Sequence, residues 1–318
     1  MVYLMMDLAT FIFMAMTSVE STMKYGLGML SFVVHQSIAS AFLYFSYFIF
    51  YWTNIYNEFI SLLTVIGLFW KMGLPPFHGW YSSVFMEIAW FECFFLSTIM
   101  KIIPAVLLGN IVVFSGWYML WWGMCVYAFL YSGCASAMQN LIRGFFAYSS
   151  ISSSCWMVFG AAVSKEIFFF YFFVYSAMVL VMMVICKKWD VKSIVKLGNM
   201  SKSDGWLIAF SSYSLAGMPP FAGFMPKLLI CCGALYGGST VTSIVVVGFL
   251  VGAIINTAIY IDVANASMKI WNPVFTCPMM GVDSRDLSMK FSVVALFYLF
   301  HFVVAVIGMS VGLSHFYD

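Results

Sequence analysis

The sequence is poor in charge, since only 8% of its 318 residues are Asp, Glu, Lys or Arg, whereas 64% are hydrophobic and the mean hydropathy is +1.00. A water-soluble fold covers its surface with roughly a quarter charged residues, so this composition excludes one. The apolar residues form continuous runs, not the alternating segments of a membrane barrel, and helices satisfy the backbone of such runs in lipid. We therefore predict an all-α polytopic membrane protein.

Motifs for redox and metal chemistry are also missing. The eight cysteines contain no Cys-x-x-Cys pair, and no histidines stand at zinc-ligand spacing. The sequence has no Gly-rich dinucleotide turn and no cysteine cluster for an iron–sulfur centre. His35 and His301 leave a haem as an alternative, without a supporting motif. We expect no metal, no redox cofactor and no catalytic residue on this chain.

Ten apolar runs are long enough to cross about 30 Å of hydrocarbon as helices, although the first is short for a full crossing. We expect one membrane domain over residues 1–318, with no signal or transit peptide. The predicted spans are 2–17, 24–50, 57–80, 84–108, 111–132, 145–163, 166–186, 206–236, 241–264 and 288–313.

Basic residues are distributed unevenly among the connections between these spans. Only Lys165 lies in a connection that follows an even-numbered span. The positive-inside rule then places the 187–202 connection on the inner side and both termini on the outer side. A site for anionic lipid head groups in this connection is the alternative interpretation. The basic residues that follow odd-numbered spans are Lys24, Arg143, Lys187, Lys188, Lys192, Lys196, Lys202, Lys269, Arg285 and Lys290.

The remaining basic residues, Lys71, Lys101 and Lys227, lie inside predicted spans. An ammonium group in hydrocarbon is costly unless a polar interior receives it, so an intramembrane lysine indicates a functional site. Lys71 and Lys101 lie on adjacent spans and are predicted to approach one another at mid-depth. Snorkelling of a lysine from the end of a span is the alternative, and it suits Lys101 better than Lys71.

An internal repeat lies beside two of these lysines, Lys71 and Lys227. The motif at 73–79, Gly-Leu-Pro-Pro-Phe-His-Gly, recurs 144 residues later at 217–223 as Gly-Met-Pro-Pro-Phe-Ala-Gly. Because five spans separate the copies, they predict two inverted five-helix repeats, 1–132 and 145–265, followed by a final helix at 288–313. Each copy predicts a discontinuous helix, with a simple kink as the alternative. The predicted break residues are Gly73, Pro75, Pro76, Gly217, Pro219 and Pro220.

Longer stretches around these motifs carry a specific resemblance. Segments 20–25, 69–80, 147–151 and 214–227 are similar, in order and spacing, to the subunit 2 family of respiratory complex I, over nearly the whole chain. The resemblance implies an antiporter-like membrane-arm subunit of NADH:ubiquinone oxidoreductase that conducts protons in the mitochondrial inner membrane. It also implies that NADH, flavin, iron–sulfur clusters and ubiquinone are bound by other subunits, so that this chain alone is not catalytic.

The same resemblance implies partners and site residues. The expected partners are other membrane-arm subunits, including neighbouring antiporter-like ones, and membrane phospholipids, but not nucleic acid. Lys71, Lys101 and Lys227 match the lysines of the family's first broken helix, of the next helix and of the second broken helix. His78, inside the first motif, is a further candidate for the proton pathway.

The chain departs from the family at its start. Met5 stands where the family has an intramembrane glutamate, so the expected partner of Lys71 is missing, and the helix that usually precedes this one is expected to be absent or supplied by another polypeptide. Asp7 is a candidate substitute. Two residues correspond to about 200° around a helix, so Asp7 is expected to point away from Lys71 unless the helix is rotated or re-registered.

Two other functions stay open. A free-standing cation/proton antiporter subunit would share the motifs of the family. A structural membrane-arm scaffold with an inactive proton path would explain the loss of the glutamate at Met5.

Overall fold

The computed structural model describes residues 1–20, 27–53, 57–114 and 116–268 together with six positions between 300 and 308. This part of the chain is all-helical apart from one isolated β-bridge, which confirms the predicted fold class. A 3₁₀ helix, Ile194–Asn199, precedes α10. The α-helices are α1 (Val2–Glu20), α2 (Leu27–Thr53), α3 (Glu58–Met72), α4 (Gly79–Glu87), α5 (Trp90–Ser97), α6 (Ile99–Phe114), α7 (Tyr118–Ala137), α8 (Ile142–Val163), α9 (Lys165–Lys188), α10 (Lys202–Ala216), α11 (Phe224–Tyr236) and α12 (Thr240–Met268).

Five helical stretches in the described part of the chain are long and apolar enough to cross a membrane. The count of ten spans stays a prediction, and the tenth, 288–313, lies almost entirely outside the described residues. The five stretches are Leu27–Thr53, Trp90–Val112, Ile142–Val163, Lys165–Lys188 and Thr240–Met268.

Helix α8 forms the centre of the bundle, because it is buried along nearly all of its length and packs against α4, α6, α7, α9 and α11. Its small residues allow the close helix approach on which membrane packing depends. At the α6 contact, a Cβ added to Gly109 would lie 2.7 Å from the Cβ of Ala161. The buried hydroxyls of α8 donate to carbonyls three or four residues earlier, so the helix satisfies them itself.

The predicted boundaries of spans three and four were wrong. The sequence placed their connection at 81–83. In the structure these residues lie inside α4, which continues to Glu87, and the chain turns at Ile88 and Ala89 before α5. Tyr81 is buried instead of lying in the predicted connection. The error arises because the interruption between α3 and α4 uses six residues that contribute no regular helical rise.

The ends of several helices meet on one face of the bundle. This face includes Arg143 and the connection from Lys187 to Lys202, so the connections after the fifth and seventh predicted spans lie on the same side, as the charge distribution requires. The contacts that join them run from Gly28 N to Glu87 Oε2 (2.8 Å), Arg143 Nη1 to Met86 O (2.9 Å), Ile142 N to Lys192 O (3.2 Å) and Lys188 Nζ to Asp204 Oδ2 (2.8 Å).

The approach of α6 to α8 can be tested by adding one methyl group. We expect Gly109→Ala to destabilise the bundle by about 1–3 kcal/mol, because the added Cβ meets the backbone and side chain of Ala161. Gly123→Ala is the matched control, since nothing lies within 4 Å of a Cβ there and alanine is the better helix former. Heating the assembled protein should inactivate the Gly109 variant first, and equal stability of both variants would contradict the close packing.

Candidate proton pathway

The first motif interrupts the helical chain between α3 and α4. Helix α3 ends at Met72, Gly73 follows in the left-handed region at φ 68°, and α4 begins at Gly79. A positive φ favours glycine, because a Cβ is strained there. The chain between Leu74 and His78 therefore leaves the helix and exposes backbone groups that need other partners.

Side chains from two helices donate hydrogen bonds to backbone carbonyls at the end of α3. Gln36 of α2 donates from Nε2 to the carbonyl of Lys71 at 3.3 Å, and Trp80 of α4 donates from Nε1 to the carbonyl of Trp70, also at 3.3 Å. Both donors are buried. Sequence reasoning missed both donors, although a glutamine inside an apolar span is a signal that such a partner exists.

The second motif has the same backbone arrangement. Helix α10 ends at Ala216, Gly217 follows in the left-handed region at φ 81°, and α11 begins at Phe224. Gly223 lies directly against the last turn of α10, because a Cβ on it would overlap the carbonyl oxygen of Ser214. Only glycine permits this approach.

Lys227 donates hydrogen bonds to the backbone at the second break. Its Nζ donates to the carbonyl of Leu215 at 2.6 Å and to that of Ala216 at 2.9 Å, which are the last two carbonyls of α10. The negative end of the helix dipole stabilises a cation at this position. The ammonium also lies 5.9 Å from the centre of the Trp156 ring. A lysine inside the membrane thus finds its partner in the carbonyls that the break releases.

A small cavity of about 10 Å³ lies beside Lys227, close to the smallest volume that holds one water molecule. Its polar lining includes hydroxyl groups from α9 and α10, so a proton on Lys227 has a polar neighbour inside the bundle. The lining residues are Tyr171, Val174, Tyr175, Met178, Ser214, Leu215, Gly223, Pro226 and Lys227.

Lys71 is paired with Asp7, which corrects the expectation that Asp7 points away. Lys71 Nζ lies 2.6 Å from Asp7 Oδ1, with side-chain exposures of 4% and 20%, and Tyr44 of α2 donates to Asp7 Oδ2 at 2.7 Å. Met5, at the family's glutamate position, is 46% exposed. The structure therefore turns Asp7, and not position 5, toward Lys71, which the sequence analysis had allowed only for a rotated or re-registered α1.

The orientation of α1 follows from the stripe of residues that this helix buries. Met6, Thr10, Phe13 and Thr17 are all buried, with the spacing of one helix face. Asp7 flanks this stripe on the side of Lys71 and Tyr44, whereas Met5 flanks it on the other side. The two threonines of this stripe are polar residues in a mostly apolar helix, so they were the sequence signal that could have oriented α1.

Lys101 lies in the first turn of α6, just after the chain breaks between α5 and α6 at Thr98. Its Nζ donates to Ser150 O at 2.9 Å and to Ser150 Oγ at 3.3 Å, and it lies 4.4 Å from the centre of the Tyr81 ring. The hydroxyl of Tyr81 is 2.7 Å from Ser150 Oγ. Because Lys101 is only 2% exposed, the snorkelling alternative was wrong.

His78 lies at the N-terminal end of α4 and turns toward α7. Its Nε2 is 2.9 Å from the hydroxyl of Tyr131, and its ring lies 6.2 Å from that of Tyr148. Tyr81, one turn further along α4, packs against Lys101. The chain of the first break therefore runs from Lys71 at the end of α3 to Tyr81 in α4, which packs against Lys101. His78 lies on this path and contacts the hydroxyl of Tyr131.

A known family, described as NADH:quinone oxidoreductase/Mrp antiporter, TM, matches residues 1–255. The NADH-ubiquinone oxidoreductase chain 2 of Lumbricus terrestris is 27% identical over 295 residues, which cover 91% of this chain and 82% of the relative. The chain of the same name from Anopheles gambiae is 28% identical over 220 residues, which cover 66% of this chain and 61% of that one. The match to the Anopheles protein thus spans less than two thirds of its length.

The fold is similar to that of a chain in respiratory complex I from Thermus thermophilus with bound aureothin. The TM-score is 0.70 at 20% identity, and the match covers 90% of this chain and 66% of that one. This likeness shows a shared helical fold. The family match covers most of this chain, including both motif copies and the three lysines. The chain therefore belongs to the NADH:quinone oxidoreductase/Mrp antiporter transmembrane family, in which its relatives are NADH-ubiquinone oxidoreductase chain 2 proteins.

Proposed function

We propose that this chain is a proton-translocating membrane-arm subunit of NADH:ubiquinone oxidoreductase in the mitochondrial inner membrane. The family match and the chain 2 relatives support this assignment. The observation that carries it is that Lys71 and Lys101 are buried and Lys227 is half-buried inside the bundle, each against a polar partner. Buried ionisable groups inside a membrane are costly to retain without a function.

The proposal includes ten spans and two inverted repeats over 1–132 and 145–265. The recurrence of a left-handed glycine after α3 and again after α10, each followed by a non-helical segment, supports this organisation. Inverted repeats with discontinuous helices place backbone ends near the middle of the membrane, where transported ions bind.

The three lysines would carry protons one after another. Their partners differ, and the partner determines how each lysine can release its proton. The pair of Lys71 and Asp7 can exist as an ion pair or, after the proton moves from Nζ to Oδ1 across 2.6 Å, as a neutral pair. This exchange changes the local field, which acts over longer distances in a medium of low dielectric constant. Lys101 and Lys227 are instead stabilised by dipoles of hydroxyl and carbonyl groups.

The redox chemistry belongs to other subunits in this proposal. NADH, flavin, iron–sulfur clusters and ubiquinone would be bound there, and this chain would contact other membrane-arm subunits and phospholipids. The chain contributes the proton path and has no catalytic residue of its own.

A free-standing cation/proton antiporter subunit is the second candidate, because the matched family includes Mrp antiporters. Purification from the native membrane separates the two. A large assembly that oxidises NADH supports the first, and a small complex with cation-dependent transport supports the second. The motive for the scaffold alternative, a Lys71 without an acid partner, is removed by Asp7.

Replacing each of the three lysines by methionine tests the proposed function. We expect Lys71→Met, Lys101→Met and Lys227→Met each to lower the number of protons pumped per NADH oxidised in the assembled complex. Lys165→Met is the matched control, because Lys165 is exposed at the start of α9. Unchanged stoichiometry and turnover in all three variants would favour the scaffold.

The role of Asp7 has its own test. Asp7→Asn keeps the shape but removes the counter-charge of a buried ammonium, and loss of such a partner costs about 3–5 kcal/mol. We expect pumping to fall while Asp190→Asn, at an exposed pair of 3.9 Å, leaves it unchanged. Adding Met5→Glu should not restore pumping, because position 5 faces outward. Restoration would place the acid partner at position 5.

The position of the Lys227 ammonium can be tested by a substitution at Gly217. A Cβ there would lie 2.9 Å from both Cδ and Nζ of Lys227, so Gly217→Ala should displace the ammonium and lower pumping. Gly238→Ala is the matched control, because Gly238 also has a positive φ but a Cβ there would make only an ordinary van der Waals contact, 3.9 Å from the carbonyl oxygen of Tyr236. Both substitutions carry a backbone cost of about 1–2 kcal/mol, so an equal effect on pumping would argue against a specific role for this contact.

A further inference from the structure

His301 lies against the second helix break, although the sequence suggested only a haem for it. The residue is 7% exposed and belongs to the described positions that follow α12. Its ring meets that of Phe221 edge-on at 5.9 Å, and Val304 packs with Ala222 of the break and with Val174 and Met178 of α9. His301 and Val304 thus pack against the segment between α10 and α11.

Both ring nitrogens of His301 are hydrogen-bonded to this segment. The backbone N–H of Ala222 lies 3.3 Å from Nδ1, and the hydroxyl of Ser214 lies 3.3 Å from Nε2. A backbone N–H can only donate, so Nδ1 accepts and the ring proton of the neutral imidazole is on Nε2. His301 then donates to Ser214, whose own hydroxyl donates to Phe210 O at 2.9 Å. With both nitrogens engaged, His301 is not available as a haem ligand.

We propose that His301 is a positioning residue. It holds the second break in the conformation in which the carbonyls of Leu215 and Ala216 accept hydrogen bonds from Lys227. One of its bonds is to the last turn of α10 and the other is to the residue two positions before α11, so the imidazole fixes the distance across the break. The carbonyls of Leu215 and Ala216, which receive Lys227, lie between these two points. This inference rests on the proposed function of Lys227.

The first break supports this assignment by contrast. There the carbonyls at the end of α3 are held by Gln36 and Trp80, which belong to the same half of the chain. At the second break Lys227 donates to the carbonyl of Leu215, the counterpart of Lys71 in the repeat, and to that of Ala216, and the N–H of Ala222 depends on His301 as its acceptor. His301 therefore completes the second site from beyond residue 265, whereas the first site is completed from within 1–132.

Three variants in the assembled complex test this role. His301→Gln can still accept from Ala222 and donate to Ser214, His301→Phe fills the space without either bond, and Ser214→Ala removes one of the two bonds. Two measurements are made on each variant: hydrogen–deuterium exchange of the peptide that contains Ala222, and protons pumped per NADH oxidised. Val303→Leu is the control on the same helix, because Val303 is 49% exposed.

We expect exchange at Ala222 to rise at least tenfold and pumping to fall by more than half in His301→Phe, with His301→Gln and Val303→Leu close to the unchanged protein and Ser214→Ala between them. Unchanged exchange in His301→Phe would overturn the positioning role, whatever happens to pumping. Faster exchange in an assembled complex that still pumps normally would keep the contact across the break but overturn its link to Lys227, and would count against the proposed function of that lysine. Equal loss in His301→Gln and His301→Phe would show that the hydrogen bonds are not what matters.

Discussion

Hydrocarbon cannot hydrogen-bond, and every unpaired carbonyl or ammonium inside this bundle must therefore find a partner in the protein. Two interrupted helices release carbonyls, and lysines inside the bundle need acceptors. At the second break these two demands are met by one contact, because Lys227 donates to the last carbonyls of α10. The arrangement of the surrounding helices depends on keeping this contact and its counterpart at Lys71 intact.

The two breaks have a similar backbone conformation, but the lysines beside them have different partners. Gly73 and Gly217 adopt the same left-handed conformation, and the helix resumes after six residues at the first break and after seven at the second. Lys71 precedes its break and is paired with a formal charge on α1, whereas Lys227 follows its break and is paired with dipoles. A charge paired with a carboxylate can lose its proton to that partner, and a charge held by carbonyls cannot. The two sites are therefore chemically distinct even though the repeat is nearly identical in sequence.

Helix α8 links these sites through its small and hydroxyl-bearing residues. Ser150 receives Lys101, and Trp156, nearly two turns further along the same helix, faces Lys227. The serines donate to carbonyls within α8, so their oxygens still have lone pairs for a neighbouring cation. A helix that satisfies its own hydroxyls and packs closely on five neighbours is suited to hold ionisable groups in fixed positions.

The sequence by itself determined the class of the protein, the family and the three lysines, because a long apolar run, a rare intramembrane charge and a repeated Gly-x-Pro-Pro are strong local signals. It did not determine the partner of Lys71, since a periodicity argument from one aligned position cannot fix the rotation of α1 around its axis. It also misplaced the connection after α4, because the length of a broken crossing depends on how the chain passes through the break. The contact of His301 with Ser214 and Ala222 joins residues 87 and 79 positions apart, and only tertiary packing brings them together.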